Sequence, residues 1–330
     1  MTEIKFDVAG IGNALVDVIA NADDKFLIAN RIEKGAMTLI DDARADELYG
    51  HMGAAIESSG GSCANTIAGL ASLGGRGAFF GKVKNDQLGQ VFAHDIRSLG
   101  ATFSTPMAED GPPTGRCLII VTPDAQRSMN TYLGAAQNLT PDDIDAGIIE
   151  ASAVTYMEGY LWDQPGAKEA FLKAAKIARG AGRLVSLTLS DSFCVARYRE
   201  EFRRLVKDEV DLLFANEAEI LSLYETDIFD EALQRVRKEC SFAALTRSEA
   251  GAVIVANGDV HVVDADKIEK VVDTTGAGDL FAAGFLYGLA QGRDPVASAR
   301  LGAMAAGEVI SHYGPRPQVS LAALARARGL

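Results

Sequence analysis

Positive charge in excess, long apolar runs, paired cysteines and the familiar nucleotide-binding loops are all missing from this 330-residue chain. The formal net charge of −13 argues against nucleic acid as a partner, because a phosphate backbone demands a basic surface. A small anionic ligand stays within reach, since it needs only a few backbone N–H groups and one or two cations. No uninterrupted apolar run is long enough to span a bilayer, so no membrane association is expected. The segment Met1-Thr2-Glu3-Ile4-Lys5 enters a strand pattern without a basic-then-apolar leader. Cys63, Cys117, Cys194 and Cys240 are scattered and form no C-x-x-C pair, which fits reduced thiols in the cytoplasm. His51, His94, His261 and His312 show no metal-ligand spacing. The P-loop run G-x-x-x-x-G-K-[S/T] is absent: Gly81-Lys82 is followed by Val83 and lacks the leading glycine. The dinucleotide fingerprint fails too, since Gly10-x-Gly12 meets Leu15, and Gly276-x-Gly278 meets Phe281, where the third glycine belongs.

What is present is 48% apolar residues against 23% charged, the balance of a protein able to bury a core. A single α/β domain over residues 1–330 with a small appendage is expected. From Val154 onward, strand and helix patterns alternate: Val154 to Met157, Leu184 to Leu189 and Val210 to Ala215 as strands, with helices over Gly166 to Arg179, Asp191 to Lys207 and from Glu217. This alternation implies right-handed crossovers and a mostly parallel sheet covered on both faces. Phe242 to Leu245, Gly251 to Ala256 and Val260 to Val263 read as short strands, and helices start at Asp279 and Pro295.

Upstream, Phe6 to Gly12 reads as a buried strand, Asn13 to Ala20 as a half-exposed one, and Gly35 to Ile40 as a short third. Asp17 inside an apolar run reads, by itself, as an edge-strand charge. Asp41 to Ser58 is expected to be helical, capped by Asp41 or Asp42. Ala78 to Val83 follows as a strand and Gln87 to Leu99 as a helix. Ala101 to Met107, Gly115 to Val121 and Ser128 to Tyr132 look like antiparallel ribbon, with a turn at Thr122-Pro123-Asp124-Ala125. Segments at approximately 14–22, 35–40, 101–107 and 115–133 would thus form a small β lid inserted into the α/β body.

The run Val271-Val272-Asp273-Thr274-Thr275-Gly276-Ala277-Gly278-Asp279 carries the most chemistry. Two β-branched residues end a strand, small residues make a turn, and Ala282, Phe285, Leu286 and Leu289 then share one helix face. Gly276 and Gly278 permit sharp backbone angles and close ligand approach. The turn aims backbone N–H groups and the positive helix end at whatever lies above it, an anion site. Asp279 beside such a cradle would repel an anion unless it does chemistry, for which accepting a proton from an attacking hydroxyl is the natural role. A second glycine turn, Gly60-Gly61-Ser62, opens a small-residue helix in which Ser62 can cap and Asn65 can reach a hydroxylated ligand. Asn216-Glu217-Ala218-Glu219 is a capping box in its own right, yet it directly follows a strand, where open α/β sheets bind ligands.

Asp273-Thr274-Thr275-Gly276-Ala277-Gly278-Asp279 with Phe281, Gly284 and Phe285 resembles the C-terminal signature of the ribokinase-like (PfkB) carbohydrate kinases, and Gly60 to Gly75 resembles their N-terminal signature. Within that family the adenosine kinase branch is the most similar. Gly12-Asn13-Ala14-Leu15-Val16-Asp17 is similar to its G-N-P-L-L-D, and Gly60-Gly61-Ser62 with Asn65 to its G-G-S-x-x-N. Thr114-Gly115-x-Cys117, Asp124-x-x-Arg127-Ser128 and Leu133-Gly134-Ala135-Ala136 follow the branch's next motifs, and Leu187 to Phe193 resembles its L-N-L-S-A-P-F.

The resemblance implies a ribokinase-like three-layer sandwich and ATP-dependent phosphorylation of a ribose-type hydroxyl, with adenosine as acceptor and AMP and ADP as products. A sugar, as for a ribokinase or fructokinase, or another nucleoside is the alternative acceptor. By the same resemblance Asp279 would be the base, with Gly276 and Gly278 shaping the turn, the amides of Ala277, Gly278 and Asp279 stabilising the transferring group, and Arg127 contacting the transferring phosphate. Asn13, Asp17, Gly61, Ser62 and Asn65 would bind the acceptor's hydroxyls. Met129 would pack over its base, and Tyr160 or Trp162 would stack on it. Thr246, Gly251, Gly278 and the segment His312-Tyr313-Gly314 would lie along ATP. Asn216 and Glu219 would organise Mg2+ through water, with K+ near Asp273 and Thr275 an open question. One position departs from the family pattern: Ser248 stands where glycine is common. A monomer or homodimer is expected.

Overall fold

Runs of alternating or continuous apolar residues become strands wherever each face can be covered, and in the computed structural model two separate sheets result. It describes residues 2–124 and 126–330. The strands are β1 (Phe6–Ile11), β2 (Leu15–Asn21), β3 (Met37–Leu39), β4 (Ala55–Gly60), β5 (Gly77–Phe80), β6 (Thr114–Val121) and β7 (Arg127–Gly134). They continue as β8 (Ser152–Glu158), β9 (Leu184–Thr188), β10 (Leu212–Asn216), β11 (Phe242–Thr246), β12 (Ala252–Ala256) and β13 (Asp259–Val263). The larger sheet has the order β13-β12-β11-β10-β9-β8-β1-β5, parallel from β5 to β11 with an antiparallel β12–β13 hairpin at one edge.

Alternate side chains feed two cores. Ala9, Ile11, Leu213 and Ala215 pack with Ala170, Phe171 and Val195 from the Pro165–Gly180 and Ser192–Asp208 helices. Val8, Leu212 and Phe214 pack on the opposite side with Ile67, Phe281 and Phe285 from the Ser62–Ser72 and Ala277–Ala290 helices. Helices therefore cover both faces, giving the expected α/β three-layer arrangement and explaining why these strands read as continuous apolar runs.

The smaller sheet has the order β3-β7-β6-β2-β4. Here several expectations need correcting. The helix starting after its cap Asp41 ends at His51, because Met52 is extended, and Ala55–Gly60 is the edge strand β4. β2 is consequently an interior strand and largely buried, so Asp17 is not an edge charge. Residues 101–107 form no strand of this sheet; Thr102 instead bridges Ala78 beside the larger sheet. Val271-Val272 is not a strand either: the backbone N–H of Val272 is tied to the Ile310 carbonyl at 2.8 Å. The expected turn at 122–125 includes Ala125, which lies outside the described residues.

Candidate active site

The parallel strands β1, β8, β9, β10 and β11 end on one side of the sheet. There Glu158, Thr188, Asn216 and Thr246 stand, with Asn13 two residues beyond β1. The Ala277–Ala290 helix begins above them. Its cap is Gly276 at φ 80°, where an added Cβ would strike Pro315 at 2.7 Å, so only glycine fits this turn. Gly278, by contrast, has ordinary helical backbone and open space where a side chain would be, which leaves its N–H reachable. The sequence reading assigned three amides here. The structure removes one: the Ala277 N–H donates to the Thr274 carbonyl at 3.2 Å. Among the described residues the amides of Gly278 and Asp279 are left without an acceptor.

Gly69 decides what meets this helix end. A Cβ there would lie 2.5 Å from a Leu280 methyl, so the missing side chain lets the Ser62–Ser72 helix pack closely against Ala277–Ala290. Ser62 and Asn65 are thereby delivered to Asp279. Ser62 Oγ donates to Asp279 Oδ1 at 2.6 Å and Asn65 Nδ2 donates to Oδ2 at 3.1 Å. Ser62 is not the helix cap. That place belongs to Gly61 at φ 97°, whose missing Cβ lets it sit against the Asn13 carbonyl. Burial raises the Asp279 pKa, while the Ser62 and Asn65 hydrogen bonds oppose the rise. Asp279, Ser62, Gly278, Thr188, Ser190, Asn216, Glu219 and Thr246 line one cleft.

Asn13 is buried and donates through Nδ2 to Glu158 Oε1 at 2.7 Å. The other oxygen of Glu158 accepts the Cys63 N–H at 2.8 Å, so this carboxyl pins the second glycine turn. Burial pushes Glu158 up to about 7 against these hydrogen bonds. Nothing in the sequence singled it out, because its partners lie 95 and 145 residues away. Asp17 projects from β2 with 8% of its surface exposed, and burial raises it to about 6 against the positive charges of Arg316 and Arg127.

Arg127 starts β7 and reaches Asp273 Oδ2 at 2.8 Å, with its guanidinium over the Tyr313 ring. Its Nη1 is buried and has no hydrogen-bond partner among the described residues. Asp273 is fully engaged: Oδ1 accepts the N–H and hydroxyl of Thr275, and Oδ2 accepts the Gly314 N–H at 3.0 Å. Asn216 and Glu219 form a complete capping box, in which Asn216 Oδ1 accepts the Glu219 N–H and Glu219 Oε2 accepts the Asn216 N–H. Glu219 Oε1 accepts from Asn216 Nδ2 at 2.6 Å, so each carboxylate oxygen already holds one hydrogen bond from Asn216. A water-bridged magnesium fits, because Glu219 lines the cleft and burial raises it to about 7, a cost that a nearby cation would offset.

Other expected residues fall elsewhere. Trp162 is core, bonding Glu201 through Nε1 and packing on Phe171 and Phe202. Gly251 does not line the cleft; its missing side chain admits the Val263 carbonyl. Tyr160 stays half-buried at the cleft end of β8, where burial and the Asp191 and Asp279 carboxylates raise its pKa. Met129 lies on the face of the smaller sheet that carries Asp17 and Arg127. Arg316 was missed. It lies outside every recognisable motif, yet its guanidinium bonds Ser59, Asp95 and Asn65.

Residues 33–321 match the profile of the pfkB family carbohydrate kinases. The adenosine kinase of Sinorhizobium meliloti is 55% identical, with a TM-score of 0.91 covering 98% of this chain and 99% of that one. A "probable sugar kinase protein" from Rhizobium etli CFN 42 is 54% identical, with a TM-score of 0.92 over 100% of this chain and 99% of that one. Adenosine kinase from Saccharomyces cerevisiae is 28% identical, covering 92% of this chain and 95% of its own length.

Proposed function

The chain belongs to the PfkB carbohydrate kinase family, whose members are ATP-dependent phosphotransferases with alcohol acceptors, and from that premise we propose that it phosphorylates the 5′-hydroxyl of adenosine, giving AMP and ADP. The observation that carries the reading is the Asp279 carboxylate. Ser62 and Asn65 hold it at the mouth of a helix whose free Gly278 and Asp279 amides face the same cleft. Asp279 takes the hydroxyl proton as the oxygen attacks the terminal phosphorus of ATP. The two amides and Arg127 Nη1, which has no partner among the described residues, donate to the charged oxygens of the transferring group. Asp17 and Asn65 orient the acceptor's hydroxyls, Tyr160 closes the cleft end of β8, and Thr246 and Gly314 border the nucleotide. Magnesium, when bound, neutralises phosphate charge, and Asn216 with Glu219 would hold it through water. A potassium ion near Asp273 and Thr275 would depend on main-chain carbonyls, since both carboxylate oxygens of Asp273 are occupied.

The smaller sheet supports a nucleoside. Met37, Met129, Ile119, Ile19 and Ile56 form one cross-sheet row, next to the row of Asp17 and Leu39. Met37, Leu39 and Ile56 are exposed. An apolar strip beside a hydroxyl-binding carboxylate suits a flat base attached to a sugar better than a free sugar. Acting as a lid, this sheet would exclude water, the competing phosphoryl acceptor. A sugar acceptor is the second reading, favoured by the 54% identity to the Rhizobium etli protein. ADP release measured over a panel of nucleosides, ribose and fructose decides: turnover with adenosine at least tenfold above every sugar is expected, and the reverse order hands the site to a sugar.

A further inference from the structure

Resting on the reading of Asp279 as the base, we propose that Arg316 is a positioning residue: its guanidinium locks the Asn65 side chain so that the amide N–H, and not the amide oxygen, faces Asp279. A carboxamide has nearly the same shape in either orientation, and only its partners distinguish them. Arg316 Nε donates to Asn65 Oδ1 at 3.3 Å, leaving Nδ2 to donate to Asp279 Oδ2. Arginine has no acceptor, so a flipped amide would lose both bonds and set oxygen against carboxylate. The guanidinium is itself held from two other elements. Nη2 donates to Ser59 Oγ on β4 at 2.8 Å, and Nη1 approaches Asp95 Oδ2 in the Gln87–Ser98 helix at 3.3 Å. That Asp95 oxygen also accepts the N–H and hydroxyl of Ser59. One half-buried cation therefore joins the smaller sheet to the base through Asn65.

The lock matters because the surroundings are acidic. Asp17 on β2, Glu158 on β8 and Glu219 beyond β10 carry carboxyls whose pKa values are raised first by burial and further by the Asp279 carboxylate, as are those of Cys63, Tyr156 and Tyr160. A flipped Asn65 would add a further negative end to this group. Among the positive charges, Arg316 acts most strongly on Asp17, ahead of Arg127.

The test removes both charges of the half-buried pair together, Arg316→Gln with Asp95→Asn, so that neither is left unpaired. Expected are a roughly ten- to hundredfold fall in kcat, an unchanged ATP dissociation constant, and partial recovery in Arg316→Lys. NMR of the Asp279 carboxyl carbon in the ligand-free protein, assigned with Asp279→Asn, should show titration at higher pH in the double variant. In an Asn65→Ala background the same pair of changes should cost little more. A full additional loss in that background, or an unmoved Asp279 titration, overturns the lock. Failure of the wild-type protein to form ADP with any acceptor would instead remove the kinase reading, and the NMR result would still judge the lock.

Discussion

The larger sheet and the smaller one place their candidate site residues by different means. At the larger sheet, the groups facing the cleft are strand ends, capping side chains and helix amides, all fixed by local backbone geometry. The Asn216–Glu219 capping box and the amides of Gly278 and Asp279 are placed by the turn or cap within a few residues of each. On the smaller sheet, Asp17, Met37 and Met129 share one face only because β2, β6, β7 and β3 pair in one register. A one-residue slip would turn every one of them to the opposite face. On the proposed reading the phosphates are held chiefly by the turn and helix amides at the larger sheet, with Arg127 reaching them from the smaller one, whereas acceptor choice rests on side chains such as Asp17.

The sharpest way to break this contrast is Asp279→Asn. It should leave ATP and acceptor binding largely intact while kcat falls by roughly two orders of magnitude or more; wild-type turnover would remove the base from the mechanism. Next, Asp17→Ala should raise the acceptor KM by roughly ten- to a hundredfold, the worth of hydrogen bonds to a charged group, with the ATP KM unchanged. A fall in ATP affinity would erase the division of labour between the sheets. A smaller effect is expected from Met37→Ser with Leu39→Ser, about severalfold in nucleoside KM and none in sugar KM, as loss of apolar contact predicts.

The smallest effect is on stability against pH. Glu158 is raised to about 7 by burial, so between the ordinary carboxylate range and about pH 7 the native state binds more protons than the unfolded chain. Its contribution to stability is full at low pH and is lost as pH rises towards 7. Glu158→Gln should lose that dependence, so that its stability relative to wild type improves as pH is raised from about 5 to about 8 in urea titrations. An unchanged difference would mean that Glu158 is ionised throughout.

The α/β alternation, the glycine turn before Asp279 and the Asn216–Glu219 box were legible because each is short-range. Val271-Val272 misled because β-branched residues fit an extended loop as well as a strand. Residues 55–58 read as the end of a helix and Gly60 as a turn because Ser58-Ser59-Gly60 carries no strand pattern; pairing with β2 makes Ala55–Gly60 a strand. Asp17 looked like an edge charge because nothing local announces β4 on its far side.

By itself the sequence determined the strand–helix alternation, the amide cradle and the carboxylate at its mouth, since period, turn chemistry and capping act over a few residues. Only the tertiary structure decided which side chains face that carboxylate. Ser62, Asn65, Glu158 and Arg316 reach one place from distant parts of the chain, through the helix approach that Gly69 permits and the pairing of β4 with β2. Contacts across such separations follow from packing, which no local pattern encodes.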